Sequence, residues 1–201
     1  MPVKERPILM AGSMVRATLD GRKGQTRRVV TPQPPSGNFT VGHDAHTVID
    51  RNGDAHPGKD FFGIVHSDGE WSRVCPYGEP GDRLWVRETF CSGDMGPVRP
   101  GCPIAYRADH ECTPGPWTPS IYMPRWASRI TLAVTSVSVE RLHAITEDDA
   151  QAEGVMEGVR DPAMTAYRRF AYLWQSINGN RPGCSWDANP YVWAIEFKVV
   201  R

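Results

Sequence analysis

The sequence predicts an α+β fold in which a β-barrel carries flanking helices and inserted loops. Alternation of apolar and polar residues predicts strands at 84–90, 128–142 and 191–199. Helical spacing of apolar residues predicts a helix near 163–177. With 201 residues, of which 40% are hydrophobic, the chain can bury one core. We therefore expect a single domain over 1–201.

The N-terminal part predicts a strand, a helix and a second strand. The first strand is expected near 6–10, and a short helix near 13–19, with Ser13 as its N-cap and Gly21 as its C-cap. A strand should include Val29 and Val30 and end at Pro32, because proline lacks the backbone N–H that a sheet needs.

Two irregular segments, at about 33–75 and 91–119, are expected to be insertions into the barrel. The first is rich in Gly, His and Asp, and the turn Asp68-Gly69 predicts a hairpin between 61–66 and Trp71. The second is rich in Pro and Gly and contains one short strand near 104–107. Either insertion could cover or widen a pocket.

The C-terminal part predicts two strands and two helices. The strand at 128–142 is expected to bulge near Thr135 and Ser136. Thr146 precedes an acidic run and should cap a helix that stops at Gly154. After the helix at 163–177, the strand at 191–199 should complete the barrel.

Composition excludes several classes of protein. The 23 basic and 23 acidic residues give no net charge, so there is no overall field to hold long nucleic acid. Five cysteines without a close pair indicate reduced thiols in the cytoplasm, and no stretch is apolar enough to cross a membrane. The histidine spacing fits no structural zinc pattern, and no phosphate loop occurs, so we expect neither metal nor cofactor. The oligomeric state is left open.

The segment 21–28 gathers four cations around the hydroxyl of Thr26. If the chain turns helically after Gly21, Lys23 and Thr26 lie on one face. Neighbouring arginines would lower the pKa of Lys23 toward the range of a general base. The pattern therefore indicates an anion, nucleotide or nucleophile site, with a solvated basic turn as the alternative.

Glu88 follows Leu84 and Val86 on one face of its predicted strand, so its carboxylate should point inward. A buried carboxylate needs a cation or hydrogen-bond donors, and Lys23 is the candidate partner. The alternative to a catalytic role is a simple ion pair that closes the barrel.

The order of several motifs resembles an ASCH domain of the PUA-like superfamily, in a longer form frequent in phages and prophages. The motifs are Pro7-Ile8-Leu9, Ser13-Met14-Val15, Gly21-x-Lys23-x-x-Thr26-x-Arg28, the run from Pro80 to Glu88, Tyr106-Arg107-Ala108-Asp109, the run from Met123 to Ile130, and Thr146-Glu147-Asp148-Asp149-Ala150-x-x-Glu153-Gly154-Val155. The resemblance covers nearly the whole chain.

The resemblance implies a metal-independent amidohydrolase that removes an acyl group from the exocyclic N4 of cytidine-type nucleosides. Carried over by motif, its catalytic residues would be Lys23, Thr26 and Glu88. We assign substrate binding to Ser13, Met14, Arg28, Arg125 and Trp126, the last because an indole beside arginines suits base stacking.

Two schemes follow from the resemblance. In one, Thr26 attacks the acyl carbonyl, Lys23 acts as base and then acid, and Glu88 orients them. In the other, Glu88 activates water while charged Lys23 stabilises the oxyanion. The rival function is a noncatalytic RNA or modified-base binding module, such as a phage accessory protein, whose cations contact phosphates.

Overall fold

A computed structural model describes residues 2–49, 51–92, 98–109, 116–155 and 164–200. This part of the chain has a mixed α+β architecture with ten strands and three α-helices. Numbered along the chain, the strands are β1 (Glu5–Leu9), β2 (Gln25–Val29), β3 (Phe39–Ile49), β4 (Ala55–His66), β5 (Ser72–Val74), β6 (Arg83–Arg87), β7 (Phe90–Ser92), β8 (Ile104–Tyr106), β9 (Thr131–Arg141) and β10 (Tyr191–Val199). The helices are α1 (Gly12–Leu19), α2 (Glu147–Ala152) and α3 (Ala166–Asn178).

The central sheet has the strand order β1-β6-β9-β10-β2. Its first pair is parallel and the others are antiparallel. In the described residues β1 and β2 are the two edges, so hydrogen bonds do not close this sheet into a barrel. The α+β class is confirmed at this coarser level.

The last strand shows how sequence alternation places the core. Trp193, Ile195 and Phe197 of β10 pack into the cluster that also holds Leu84 and Leu132. The neighbouring Val192 faces the other way, into a second cluster beneath α2 and α3. Both faces of β10 are therefore buried over residues 192–195, whereas Glu196 and Lys198 are exposed. Complete burial of such apolar side chains stabilises the fold by roughly 1.5–3 kcal/mol each.

The first predicted insertion forms a sheet of its own. Strands β3, β4 and β5 pair in that order, and Gly69 turns between β4 and β5 with φ 76°, which confirms the predicted hairpin. In the second insertion β7 and β8 form a two-stranded sheet. Residues 93–97 and 110–115 of that insertion lie outside the described residues.

Several local predictions are confirmed. On β9, Thr135 is the extra residue where Glu196 pairs with Ser136 and Phe197 with Val134. Thr146 caps α2 through a reciprocal capping box with Asp149. The predicted final strand matches β10.

Three local predictions need correction. Ser13 is not an N-cap, because α1 already begins at Gly12 after Ala11. The chain does not resume a helix after Gly21, because residues 25–29 pair with β10 as a strand. The last helix begins at Ala166; the predicted start, Ala163, is outside the described residues.

None of the described helices combines the length and apolar character needed to cross a membrane.

Candidate functional site

A cavity of about 1080 Å³ opens beside the edge strand β2. Its walls come from the β1-α1 connection, β2, the chain around β5 and the inner face of α3. The residues on which the argument below depends are Arg6, Met14, Lys23, Thr26, Arg27, Arg28, Arg73, Tyr77, Glu153 and Arg181. The volume is in the range of small-molecule sites.

Lys23 is held in place by its own backbone. Its N–H donates to the carbonyl of Ala17 at 3.0 Å, and Gly24 N–H donates to Ala152 at 2.9 Å, so the end of α1 is tied to the end of α2. Lys23 forms an isolated β-bridge with Glu153. The next residue, Gly154, has φ 79°, and a Cβ there would lie 2.8 Å from the Cβ of Lys23. Glycine therefore permits this close approach.

The Lys23 amine donates three hydrogen bonds. They reach the Gln25 carbonyl at 2.8 Å, the Glu153 carbonyl at 2.7 Å and Glu153 Oε2 at 2.8 Å. Because all three protons are used and none reaches Glu88, the predicted Lys23–Glu88 pair is wrong. Glu153 is the carboxylate that accompanies Lys23.

The second oxygen of Glu153 is not fully satisfied. Glu153 Oε1 lies 3.5 Å from Arg27 Nη1, and neither of these buried atoms has a hydrogen-bond partner among the described residues. The other end of Arg27 is held by Glu140 at 2.7 Å and Asp149 at 3.2 Å. Such an arrangement leaves one acceptor and one donor available inside the protein.

Burial lowers the pKa of Lys23, and the Glu153 carboxylate opposes that change. The positive charges of Arg28 and Arg27 act to lower the pKa further. The side chain of Lys23 is 2% exposed, so water compensates little for these effects. The local environment therefore favours release of a proton from this amine.

Thr26 lies on β2 opposite Ile195 and borders the same cavity as Lys23. The Lys23 amine contacts the carbonyl of Gln25, whose peptide bond leads directly into Thr26. Among the described residues the Thr26 hydroxyl has no hydrogen bond. The predicted pair of amine and hydroxyl thus shares one cavity, although a strand rather than a helical turn arranges it.

Glu88 belongs to a different cluster. It is 2% exposed, as alternation predicts, and Arg129 donates to its two oxygens at 2.9 and 3.1 Å. Arg129 also binds Asp109 and lies 4.0 Å over the ring of Tyr106. Burial raises the pKa of Glu88, while Arg129 opposes the change. Glu88 is not among the residues that line the cavity.

The predicted substrate-binding residues are divided by the structure. Met14 and Arg28 line the cavity, whereas Ser13, Arg125 and Trp126 do not. Arg125 is held at the surface by Glu5 at 2.9 Å. The Trp126 side chain is 44% exposed.

Sequence reasoning missed Glu153, Tyr77 and Arg181. A signal for Glu153 was present, because it lies three residues after Ala150 and shares its buried face of α2. Tyr77 and Arg181 stand in connecting segments with no periodic pattern, so nothing local distinguishes them.

In the residues that the structure describes, no group of three His, Cys, Asp or Glu side chains is arranged to hold a metal ion. The site therefore consists of an amine, a hydroxyl, a carboxylate and several guanidinium groups.

Comparisons of the chain with protein-family models, with curated proteins and with solved structures find no match.

Proposed function

We propose that this protein is an amidohydrolase that removes an acyl group from the exocyclic N4 of acylated cytidine-type nucleosides. The observation that carries the proposal is that Thr26 and the buried Lys23–Glu153 pair border one cavity. The proposal includes an ASCH-type, PUA-like fold, for which the order of motifs and the α+β architecture are the support.

The catalytic carboxylate in this proposal is Glu153 rather than Glu88. Glu153 Oε2 is 2.8 Å from the Lys23 amine, whereas both oxygens of Glu88 accept from Arg129. A carboxylate that can exchange a proton with the amine is in position for acid-base chemistry. A carboxylate that is held by a bidentate guanidinium, as Glu88 is by Arg129, instead neutralises the charge of that guanidinium.

Proton transfer begins within the buried pair. Lys23 passes one proton to Glu153 Oε2, which leaves a neutral amine beside the strand that carries Thr26. This transfer leaves the net charge of the pair unchanged, and burial of the amine favours it. The neutral amine can then accept the hydroxyl proton of Thr26.

The acyl transfer follows from these positions. Thr26 Oγ1 bonds to the acyl carbon as its proton moves to Lys23, and the carbonyl becomes an oxyanion. Collapse breaks the bond from carbon to N4, and Lys23 returns the proton to the leaving amine. Water then cleaves the threonyl ester with Lys23 as base. Arg27 Nη1 is the nearby donor for the oxyanion.

A second scheme assigns water activation to Glu153 directly. Its buried Oε1 has no hydrogen-bond partner and could accept from a water molecule. In that scheme Thr26 only positions the substrate, so no acyl-threonine forms.

The test is the ultraviolet change on mixing the protein with N4-acetylcytidine, in parallel with Thr26→Ala, Thr26→Ser and Thr89→Ala. Thr89 is a second threonine on the cavity wall and is the matched control. Cytidine release that survives in Thr26→Ser and Thr89→Ala but is lost in Thr26→Ala supports the proposal. Absence of release by the parent protein contradicts it and favours a binding module.

Rapid acid quench followed by peptide mass measurement separates the two schemes. An acetyl group on the peptide that contains Thr26 identifies the threonine as nucleophile. Full turnover by Thr26→Ala, with no such peptide from the parent protein, assigns the attack to water.

A further inference from the structure

The wall of the cavity carries an excess of positive charge. Six cationic side chains line it, and Glu153 is the one carboxylate among the lining residues that the structure describes; the cations are Arg6, Lys23, Arg27, Arg28, Arg73 and Arg181. Lys23 and Arg27 are paired with Glu153. The other four form no ion pair within the described residues. The proposed acyl transfer uses none of these four arginines.

Within the described residues, one donor of Arg28 has no acceptor. Its Nη2 donates to the Leu9 carbonyl at 2.5 Å, but its buried Nε has no hydrogen-bond partner. The Nε of Arg6, on β1 at the opposite edge of the central sheet, is also buried and has no partner among the described residues. A buried N–H without an acceptor destabilises the folded protein. A ligand bound in the cavity could supply the acceptor.

Arg181 approaches the same region from the end of α3. Its Nη1 donates to Asn178 Oδ1 at 3.2 Å, so the guanidinium is positioned without being neutralised. Tyr77 lines the cavity together with both arginines. Burial raises the pKa of Tyr77, while the positive charges of Arg28 and Arg181 act to lower it.

Two guanidinium groups without an ion pair in the described residues and a phenol, all on the wall of one cavity, are a donor set suited to a phosphate group. Guanidinium binds phosphate through paired N–H donors, and the phenol can add a further hydrogen bond. Arg28 and Lys23 line the same cavity, so the phosphate position and the reacting amine belong to one site. The cavity volume of about 1080 Å³ has room for a mononucleotide.

We propose that the cavity takes its substrate as a nucleoside monophosphate, with the phosphate held by Arg28, Tyr77 and Arg181. The identity of the base rests on the proposed function, whereas the phosphate rests on the unpaired arginines. A mononucleotide suits the site better than a long RNA, because the chain has no net charge with which to hold a polymer.

The binding test is calorimetric titration with cytidine, cytidine monophosphate and a short oligocytidylate. The protein is compared with Arg181→Gln, Tyr77→Phe and the control Arg22→Gln, which removes a surface arginine paired with Asp20. We expect the monophosphate to bind about tenfold or more tightly than cytidine. Arg181→Gln should remove most of that preference, Tyr77→Phe part of it, and Arg22→Gln none.

Three results would overturn the proposal. Equal affinity for cytidine and its monophosphate removes the phosphate site. An equal loss in Arg181→Gln and Arg22→Gln reduces the preference to a general charge effect. Binding of the oligocytidylate far more tightly than the monophosphate makes RNA the ligand instead.

Hydrolysis of N4-acetylcytidine and of its monophosphate separates this inference from the proposed function. Phosphate-dependent binding without acetyl release keeps the phosphate site and rejects the amidohydrolase. Acetyl release with the same kcat/KM for both compounds keeps the amidohydrolase and rejects the phosphate site.

Discussion

Two buried carboxylates of this protein are each joined to a cation, and the two clusters differ in how completely they are satisfied. Glu88 accepts from Arg129 at both oxygens, and Arg129 is further balanced by Asp109. Glu153 accepts from Lys23 at one oxygen, and its other oxygen faces Arg27 without a hydrogen bond. Glu153 borders the cavity and Glu88 does not.

The difference indicates separate roles. Glu88 has a bidentate partner and no access to the cavity. Its pairing with Arg129 holds the end of β6 to the segment before β9. A carboxylate with an unused acceptor, a lysine of lowered pKa and a cavity beside it retains the capacity to move a proton. The extent of hydrogen bonding, rather than burial, separates the two, because both are nearly inaccessible.

The largest expected effect is on activity. Glu153→Gln should lower kcat by about 10³-fold, because general acid-base groups contribute roughly 10²–10⁴. Glu88→Gln, the matched change in the other cluster, should leave kcat within about threefold, since its site lies off the cavity. Acetyl release from N4-acetylcytidine is the readout, after thermal denaturation shows that both variants fold. A larger loss in Glu88→Gln than in Glu153→Gln would reverse the assignment.

The choice between these two glutamates also shows how far the sequence can go. Alternation along β6 places Glu88 inside, and the confirmed bulge at Thr135 and cap at Thr146 are equally local. The partner of Lys23 depends on the contact between the end of α1 and the end of α2, 130 residues apart in sequence. Local patterns carry no information about such a contact, and alternation therefore points to Glu88 instead.

The same limit applies to the cavity. The basic segment around Thr26 forms part of one wall of the cavity, and Tyr77 and Arg181 reach the cavity from unrelated connections. Whether the sheet closes into a barrel depends on which strands lie at its edges. Alternation within a strand does not specify which strand pairs with it, so the sequence pattern cannot predict closure.

The next largest effect should be a loss of stability when Gly154, which contacts Lys23 closely, is changed to alanine. Gly154→Ala places a Cβ 2.8 Å from the Cβ atoms of Ala17 and Lys23 at a φ of 79°. We expect a loss of about 3 kcal/mol from the left-handed conformation and the steric overlap together. Gly53→Ala is the control, because Gly53 has φ 89° with nothing within 4 Å of the added Cβ. A loss of about 1 kcal/mol is expected there.

Urea denaturation measures both free energies of unfolding. If Gly154→Ala lowers the free energy of unfolding no more than Gly53→Ala does, the close approach of the end of α2 to Lys23 is contradicted.

Removing the cation from the satisfied cluster should give a loss that depends on pH. Arg129→Leu leaves Glu88 buried without its partner, which we expect to cost about 2 kcal/mol at neutral pH. Because burial holds the pKa of Glu88 above its ordinary value, the protonated form is the one that folding favours. The loss should therefore shrink as pH falls through the raised pKa toward 4.5 and grow as pH rises.

Unfolding curves across this pH range, with Glu88→Gln/Arg129→Leu as the control, provide the check. The double variant lacks the Glu88 carboxylate. Its loss of stability should therefore show no pH dependence that comes from this cluster. The same pH dependence in both variants would mean that Glu88 is not its source.

The smallest expected effect is a shift in the pH dependence of turnover. Arg28 acts to lower the pKa of Lys23, so Arg28→Gln should raise that pKa and move the acidic limb of kcat/KM to higher pH. Glu88→Gln should leave the limb in place, since the causes that shift the pKa of Lys23 do not include Glu88. Measurement with N4-acetylcytidine, which carries no phosphate, keeps the proposed phosphate contact of Arg28 out of the result. If the acidic limb moves with Glu88→Gln but stays fixed with Arg28→Gln, the proton transfer depends on the Glu88 cluster and not on the Lys23–Glu153 pair. The distinction between the two carboxylates would then fail.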